Sequence, residues 1–154
     1  MIRVSVQAEP FDAAAEIAAL SGVGAAVGGL GCFIGLVRAD DRPGEPPLAA
    51  LVLEHYPGMS ESMLREVAEQ ACARFPLLGC TVIHRFGRLP LGEPIVLVLA
   101  ASRHRQAALD ATGFLIDWLK TGAPFWKREE RTDGSSRWVE ARPADDHAAA
   151  RWKD

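Results

Sequence analysis

The sequence has no apolar run long enough to cross a bilayer, no cysteine pairing pattern and no excess of positive charge, and each absence closes off a class of function. A membrane-spanning helix needs about 18–20 predominantly apolar residues. The longest candidate here, Val23 to Val37, is broken by glycines and closes on Arg38. The N-terminus lacks a basic segment followed by an apolar one, so no secretory leader is expected and the expected compartment is the cytoplasm. Cysteine occurs only as Cys32, Cys72 and Cys80, an odd number without C-x-x-C spacing, which argues against both a disulfide framework and a zinc site. Cys32 and Cys80 fall in apolar strand-like segments and are expected to be small buried hydrophobes. The four histidines, His55, His84, His104 and His147, have no H-E-x-x-H or related spacing, so no metal is expected. A G-x-S-x-G elbow is also missing. The net charge of −3 excludes a nucleic-acid binder that works by bulk electrostatics.

What is present is the balance of an ordinary globular protein, 49% hydrophobic and 24% charged, in a chain of 154 residues that suits one domain. Ile2–Val6 alternates apolar and polar residues and predicts a strand. Asp12 can cap a short helix over Ala13–Leu20. Further strands are expected at Gly28–Arg38, Leu48–His55, Cys80–Phe86 and Pro94–Ala101. Helices are expected at Ser60–Phe75 and at about Arg103–Lys120. Gly87–Glu93 suggests a turn, and Phe125–Arg131 with Arg137–Ala141 a hairpin across Asp133-Gly134-Ser135-Ser136. The segment 39–47 holds three prolines and four charges and is expected to be an exposed loop. A polar, Ala-rich tail over 143–154 offers Trp152 as an anchor. Strands and helices mix without strict βαβ order, which favours α+β.

Four motifs invite a chemical reading. Gly29-Leu30-Gly31-Cys32-Phe33-Ile34-Gly35 is one residue too long for a dinucleotide fingerprint, and no helix follows it. Its glycines instead suit close backbone approach. Glu129-Glu130 is a carboxylate pair, but neighbours on a strand point to opposite faces, so a solvated pair is expected. Ser102-Arg103-His104-Arg105 sits where a strand meets a helix N-terminus. Backbone N–H groups there favour anions and basic side chains are the unfavourable sign, so an anion site explains the run better than a solvated turn. Lys120 and Lys127 flank Thr121-Gly122-Ala123-Pro124-Phe125-Trp126. Aromatic walls can desolvate an amine and activate it, yet a lysine at a helix C-terminus is also an ordinary dipole partner. The residues alone leave both readings open. His84-Arg85 is expected to be structural, a salt-bridged strand edge or a dimer contact.

Together these blocks resemble a known family. Phe33-x-Gly35-x-Val37-Arg38, Leu53-Glu54-His55-Tyr56-Pro57-Gly58-Met59, His84-Arg85-x-Gly87, Ser102-x-His104-Arg105, Leu119-Lys120-Thr121-x-Ala123-Pro124-Phe125-Trp126-Lys127-Arg128-Glu129 and Arg137-Trp138-Val139-Glu140-Ala141-Arg142 are similar to the molybdopterin synthase catalytic subunits. The resemblance implies an α/β hammerhead-like fold with an added small antiparallel subdomain. It implies a homodimer that becomes a heterotetramer with two small ubiquitin-like sulfur carriers. Each carrier inserts a C-terminal Gly-Gly thiocarboxylate into a pocket, where its sulfur passes to cyclic pyranopterin monophosphate to build a dithiolene. No cofactor is implied. By motif, Lys120 and Lys127 match the family's active-site lysines. Arg38, His104 and Arg105 match anion-binding and catalytic positions, Phe33 the substrate-binding set, and Arg142 an arginine that reaches the neighbouring subunit's pocket. Gly28-Gly29-Leu30-Gly31 departs from the family, whose strand is more β-branched there.

Overall fold

The N-terminal alternation becomes β1 (Ile2–Gln7), and Asp12 caps α1 (Ala13–Ser21) by accepting the Ala15 N–H at 3.0 Å. The computed structural model describes residues 1–140 and 143–153. In chain order follow β2 (Gly29–Leu36), β3 (Leu48–His55), α2 (Met59–Arg74), β4 (Leu77–Arg85), β5 (Gly87–Pro90), β6 (Pro94–Ser102), α3 (Arg105–Thr121), β7 (Phe125–Arg131), β8 (Ser136–Trp138) and α4 (Pro143–Ala150). One sheet has the order β1-β4-β6-β2, with β1 parallel to β4 and the other pairs antiparallel. The second, β5-β3-β7-β8, is wholly antiparallel. The architecture is thus α+β with an added antiparallel sheet, as the resemblance implies.

Strand alternation sorts the first sheet into two faces. Cys80, Val82, Val96 and Val98 point to the layer of α2 and α3, where they meet Leu64, Val67, Ala71 and Leu115. Ile83, Leu97, Leu99 and Ala101 point the other way, to Leu20 of α1. Leu115 is fully buried at the first of these junctions, and truncating it to Ala would cost about 2–5 kcal/mol. In α3, Ala108, Ala111, Thr112 and Leu115 form the buried stripe at helical spacing. That stripe lies close on β2 because Gly31 has no side chain: a Cβ there would sit 2.2 Å from Thr112 Oγ1 and 2.4 Å from the Ala108 carbonyl oxygen. Of the glycines that depart from the family pattern, Gly31 therefore seats α3.

The turn after β3 is built by its own residues. Gly58 takes φ of 82°, a conformation that favours glycine, and its N–H donates to Glu61 Oε2 at 2.7 Å. Ser60 is buried, donating its hydroxyl to the Tyr56 carbonyl and accepting the Tyr56 N–H.

Some expectations need correction. Gly87–Glu93 is not all turn: β5 pairs with β3 before the chain turns. The tail contains a helix, α4, and Trp152 beyond it packs edge-on against Phe75 and Phe114 while donating Nε1–H to Asp117 at 2.6 Å. Cys32 is exposed rather than buried, whereas Cys80 is buried. Glu129 is buried, not solvated. It is bonded to the buried Arg131 and lies 3.2 Å from Arg42, while Glu130 on the other face pairs with Arg88. Arg131 also donates to the Asp40 carbonyl and faces the Glu45 carboxylate, so the mostly exposed loop 39–47 is tied to β7. His84 and Arg85 are both buried, and Arg85 holds the Ala8 and Pro94 carbonyls and Glu93.

Candidate active site

The last turn of α3 runs into Gly122-Ala123-Pro124, and Pro124 forces the chain out of the helix and into β7. This corner places Lys120, at the favourable end of the helix dipole, and Lys127, on β7, around one cavity of about 380 Å³. Phe33 of β2, Ile116 of α3, Phe125 of β7 and His84 of β4 line it with the two lysines, and the rest of the wall is aliphatic or glycine. Among the described residues, no carboxylate and no cysteine lines it. Lys120 stays exposed and Lys127 is half-buried, so the desolvation expected at this corner does not reach Lys120.

His84 was expected to be a structural strand end, and the structure places it in the cavity wall. Its ring stacks on Phe125 with centroids 3.8 Å apart and planes 13° from parallel. Its Nδ1 lies 2.8 Å from the Arg85 carbonyl oxygen. Burial pulls its pKa down to about 4. The hydrogen bond to Arg85 opposes this shift, while the charges of Lys127, Lys120 and His55 reinforce it. The signal was present in the strand period: His84 follows Val82 and Cys80 on the face that meets α3.

The remaining candidates are distributed differently. Phe33 lines the cavity, and exposed Arg38 lies two residues beyond Leu36 in the same wall. His104 and Arg105 are exposed at the opposite end of α3, 15 residues from Lys120 in the case of Arg105, or roughly 22 Å along the axis. The N-terminus of α3 has no side-chain cap and no acidic residue in its first turn, which leaves its N–H groups and the adjacent basic side chains facing solvent. Within one chain the lysines and this basic turn do not converge. Arg142 lies outside the described residues. A wider groove of about 610 Å³ between α2, α3 and the C-terminal segment is lined by none of the candidate residues. Among the described residues, no group of three or more His, Cys, Asp or Glu is placed to hold a metal, and no helix is long and apolar enough to cross a membrane.

Comparison with known proteins places this geometry in a family. The family model described as MoaE protein matches residues 6–122. The molybdopterin synthase catalytic subunit of Mesorhizobium japonicum is 56% identical over 97% of this chain and 92% of its own length. Among solved structures, the molybdopterin biosynthesis MoaE protein of Burkholderia ambifaria superposes with a TM-score of 0.82 at 44% identity, covering 99% of this chain and 98% of its own. Molybdopterin synthase from Staphylococcus aureus superposes at 0.79 with 25% identity, covering 88% and 95%. The chain belongs to the MoaE family of molybdopterin synthase catalytic subunits.

Proposed function

We propose that the cavity between α3 and β7 is a sulfur-transfer site, in which Lys120 and Lys127 receive the thiocarboxylate tail of a small ubiquitin-like carrier and the anionic pterin it sulfurates. The observation that carries this reading is the composition of the wall: two lysines, no carboxylate and no cysteine. A concave, largely apolar wall that carries two cations suits an anionic guest. A wall without a thiol suits chemistry whose sulfur arrives on a partner. The carrier's sulfur forms a bond to a side-chain carbon of cyclic pyranopterin monophosphate as the carbon–oxygen bond at that carbon breaks, its oxygen leaving as water or with the opened phosphate. Water then cleaves the acyl–sulfur bond and frees the carrier as a carboxylate. A second carrier repeats the step to complete the dithiolene. Lys120 is assigned to the reacting thiocarboxylate and Lys127 to positioning and charge stabilisation. Phe33 supplies an apolar wall to the pterin.

The phosphate is assigned to Arg38, His104 and Arg105, and their separation from the lysines calls for a second copy. β2 is the open edge of its sheet, and Phe33, Ile34 and Leu36 expose 38%, 37% and 55% of their surface along it. An edge of that kind is a ready pairing surface. A homodimer formed there would bring the first turn of one α3 toward the partner's lysine pocket, and carriers at both pockets would make a heterotetramer. The fold has no span for a membrane among its helices, and a cytoplasmic site of action fits that chemistry.

The test is reconstitution. Purified chain, a thiocarboxylated carrier and cyclic pyranopterin monophosphate should yield a product carrying two sulfurs by mass spectrometry, with the carrier recovered as its carboxylate. Absence of sulfur in the product from a folded, carrier-bound chain would overturn the reading.

A further inference from the structure

His84 is the only side chain in the cavity wall able to accept a hydrogen bond. The two lysines are donors, and every other lining residue is apolar. The ring is also held in one state. A carbonyl oxygen only accepts, so the Arg85 contact places the proton on Nδ1 and leaves Nε2 with a bare lone pair. The two ring nitrogens diverge, so an Nδ1 tied back to the strand's own backbone turns Nε2 away from it. Phe125, stacked face to face, fixes the plane in which that lone pair lies. We propose that His84 is the positioning residue of the two-lysine cavity, a neutral acceptor that orients the Lys127 amine.

The charged and titratable groups acting on His84 are Lys127 from β7, Lys120 from α3 and His55 from β3, and Lys127 acts more strongly than Lys120. All three oppose an imidazolium, as burial does, so the ring remains an acceptor at neutral pH. Neutrality matters for the chemistry. A carboxylate in this place would orient the amine equally well, but it would cancel the positive charge and repel an anionic substrate. An uncharged lone pair orients the N–H and leaves the charge for the guest. The alternative is a core histidine that merely fills space beside Phe125.

The inference rests on the two-lysine reading, and the experiment separates the two. His84→Phe keeps an aromatic ring against Phe125 and removes the acceptor, whereas His84→Gln restores an acceptor near the Nε2 position. Turnover by the complex with thiocarboxylated carrier should fall roughly 10- to 100-fold in His84→Phe, the range for a hydrogen bond to a charged group. KM for the pterin should change by less than about 3-fold, because the loss falls on an oriented group rather than on binding. His84→Gln should recover most of the turnover. In the dimer without carrier, the Lys127 amine is followed by NMR of labelled lysine and assigned by its loss in Lys127→Ala. Loss of an acceptor disfavours the ammonium form, so its titration should move to lower pH by about half a unit or more in His84→Phe. It should not move in His84→Gln. An unmoved titration with normal turnover in a folded His84→Phe overturns the proposal. So does a His84→Gln variant as impaired as His84→Phe, which would make the ring's shape the requirement. Full turnover by Lys127→Ala would overturn the two-lysine reading itself, and with it the purpose of the contact.

Discussion

Lys127 and Arg131 lie four residues apart on β7, and the protein treats the two charges in opposite ways. Arg131, at the end of the strand, is buried and surrounded by carboxylates: Glu129 beside it, Asp40 at 3.6 Å and Glu45 at 3.4 Å. Arg42 and Arg137 join the same carboxylates from the loop and from β8. Lys127, roughly 13 Å back along the strand at strand rise, lines a cavity to which the described residues bring no carboxylate. Folding alone explains the first arrangement, since a buried charge must be matched or it costs several kcal/mol. It does not explain the second. Matched charge latches a loop to a sheet, whereas a lysine in the wall of a concave apolar cavity is placed to meet a guest.

The largest effect that could break this contrast is on catalysis. Lys120→Ala should lower dithiolene formation by about 10³-fold, and Lys127→Ala by about 10²-fold, in line with removal of a group that stabilises developing charge. Thermal stability of both variants should match the parent, because neither lysine is part of the carboxylate latch. Near-normal turnover in either well-folded variant would remove that lysine from the mechanism.

Glu129→Ala should do the reverse. It leaves the Arg131 guanidinium buried with only the more distant Asp40 and Glu45 to answer it, at a cost of about 2–3 kcal/mol, near the lower end for a broken buried pair. The melting temperature should drop by roughly 5–10 °C for a chain of this size. Turnover per folded molecule should stay within a few-fold. A variant of unchanged stability would mean that the latch is no stronger than a surface ion pair.

The pH dependence of stability sharpens the comparison on the cavity side. His84 titrates near 4 when folded, below its ordinary 6.5, because it is buried. Between these values the unfolded chain holds the proton and the folded chain does not, so stability falls as pH drops from about 6.5 to about 4. The loss approaches about 3.5 kcal/mol at most, about 1.4 kcal/mol for each pH unit of that window. Urea denaturation at pH 7, 5.5 and 4.5 should show the slope in the parent and a flatter one in His84→Phe. Equal slopes would mean that His84 is not what titrates.

These results follow the line between what was legible in the sequence and what was not. Period and punctuation located most elements, because apolar spacing and residues such as Gly58 and Pro124 act locally. Lys120 and Lys127 were legible because a Pro-Phe-Trp corner between them also acts locally. β5 was hidden by its brevity at a sheet edge and by its closing Pro90. α4 was hidden because none of its residues is buried, so it has no apolar stripe to detect. The burial of Glu129 and the place of His84 in the cavity wall were not read from the sequence. The loop residue Arg42 that joins the Glu129–Arg131 pair, and the Phe125 and Lys127 that surround His84, lie far along the chain, although Arg131 two residues on already shared a strand face with Glu129.

The smallest effect is expected from the cysteines, which belong to neither region. Cys32 pairs with Leu99 across β2 and β6 and so shares the α1 face, opposite the cavity wall that Phe33 helps to form. Cys80 faces the cavity's side of the sheet but lies four residues before His84 on β4, roughly 13 Å away at strand rise. Its neighbour Cys72, 3.9 Å from it on α2, is the thiol with the most nucleophilic character, its pKa lowered to about 7 chiefly by the hydrogen bond to Cys80. Neither lines the cavity. Sulfur that arrives on a carrier at this cavity therefore meets no thiol among the described residues of its wall. A triple variant, Cys32→Ser, Cys72→Ser and Cys80→Ser, should keep turnover within about 3-fold per folded molecule. It should lose about 1–3 kcal/mol of stability through the hydroxyl introduced at the buried position 80. Denaturation scored beside the product assay separates the two. A folded triple variant that binds thiocarboxylated carrier yet forms no dithiolene would place a sulfur relay on the chain, and would mean that the two lysines are not the whole of the chemistry in the cavity.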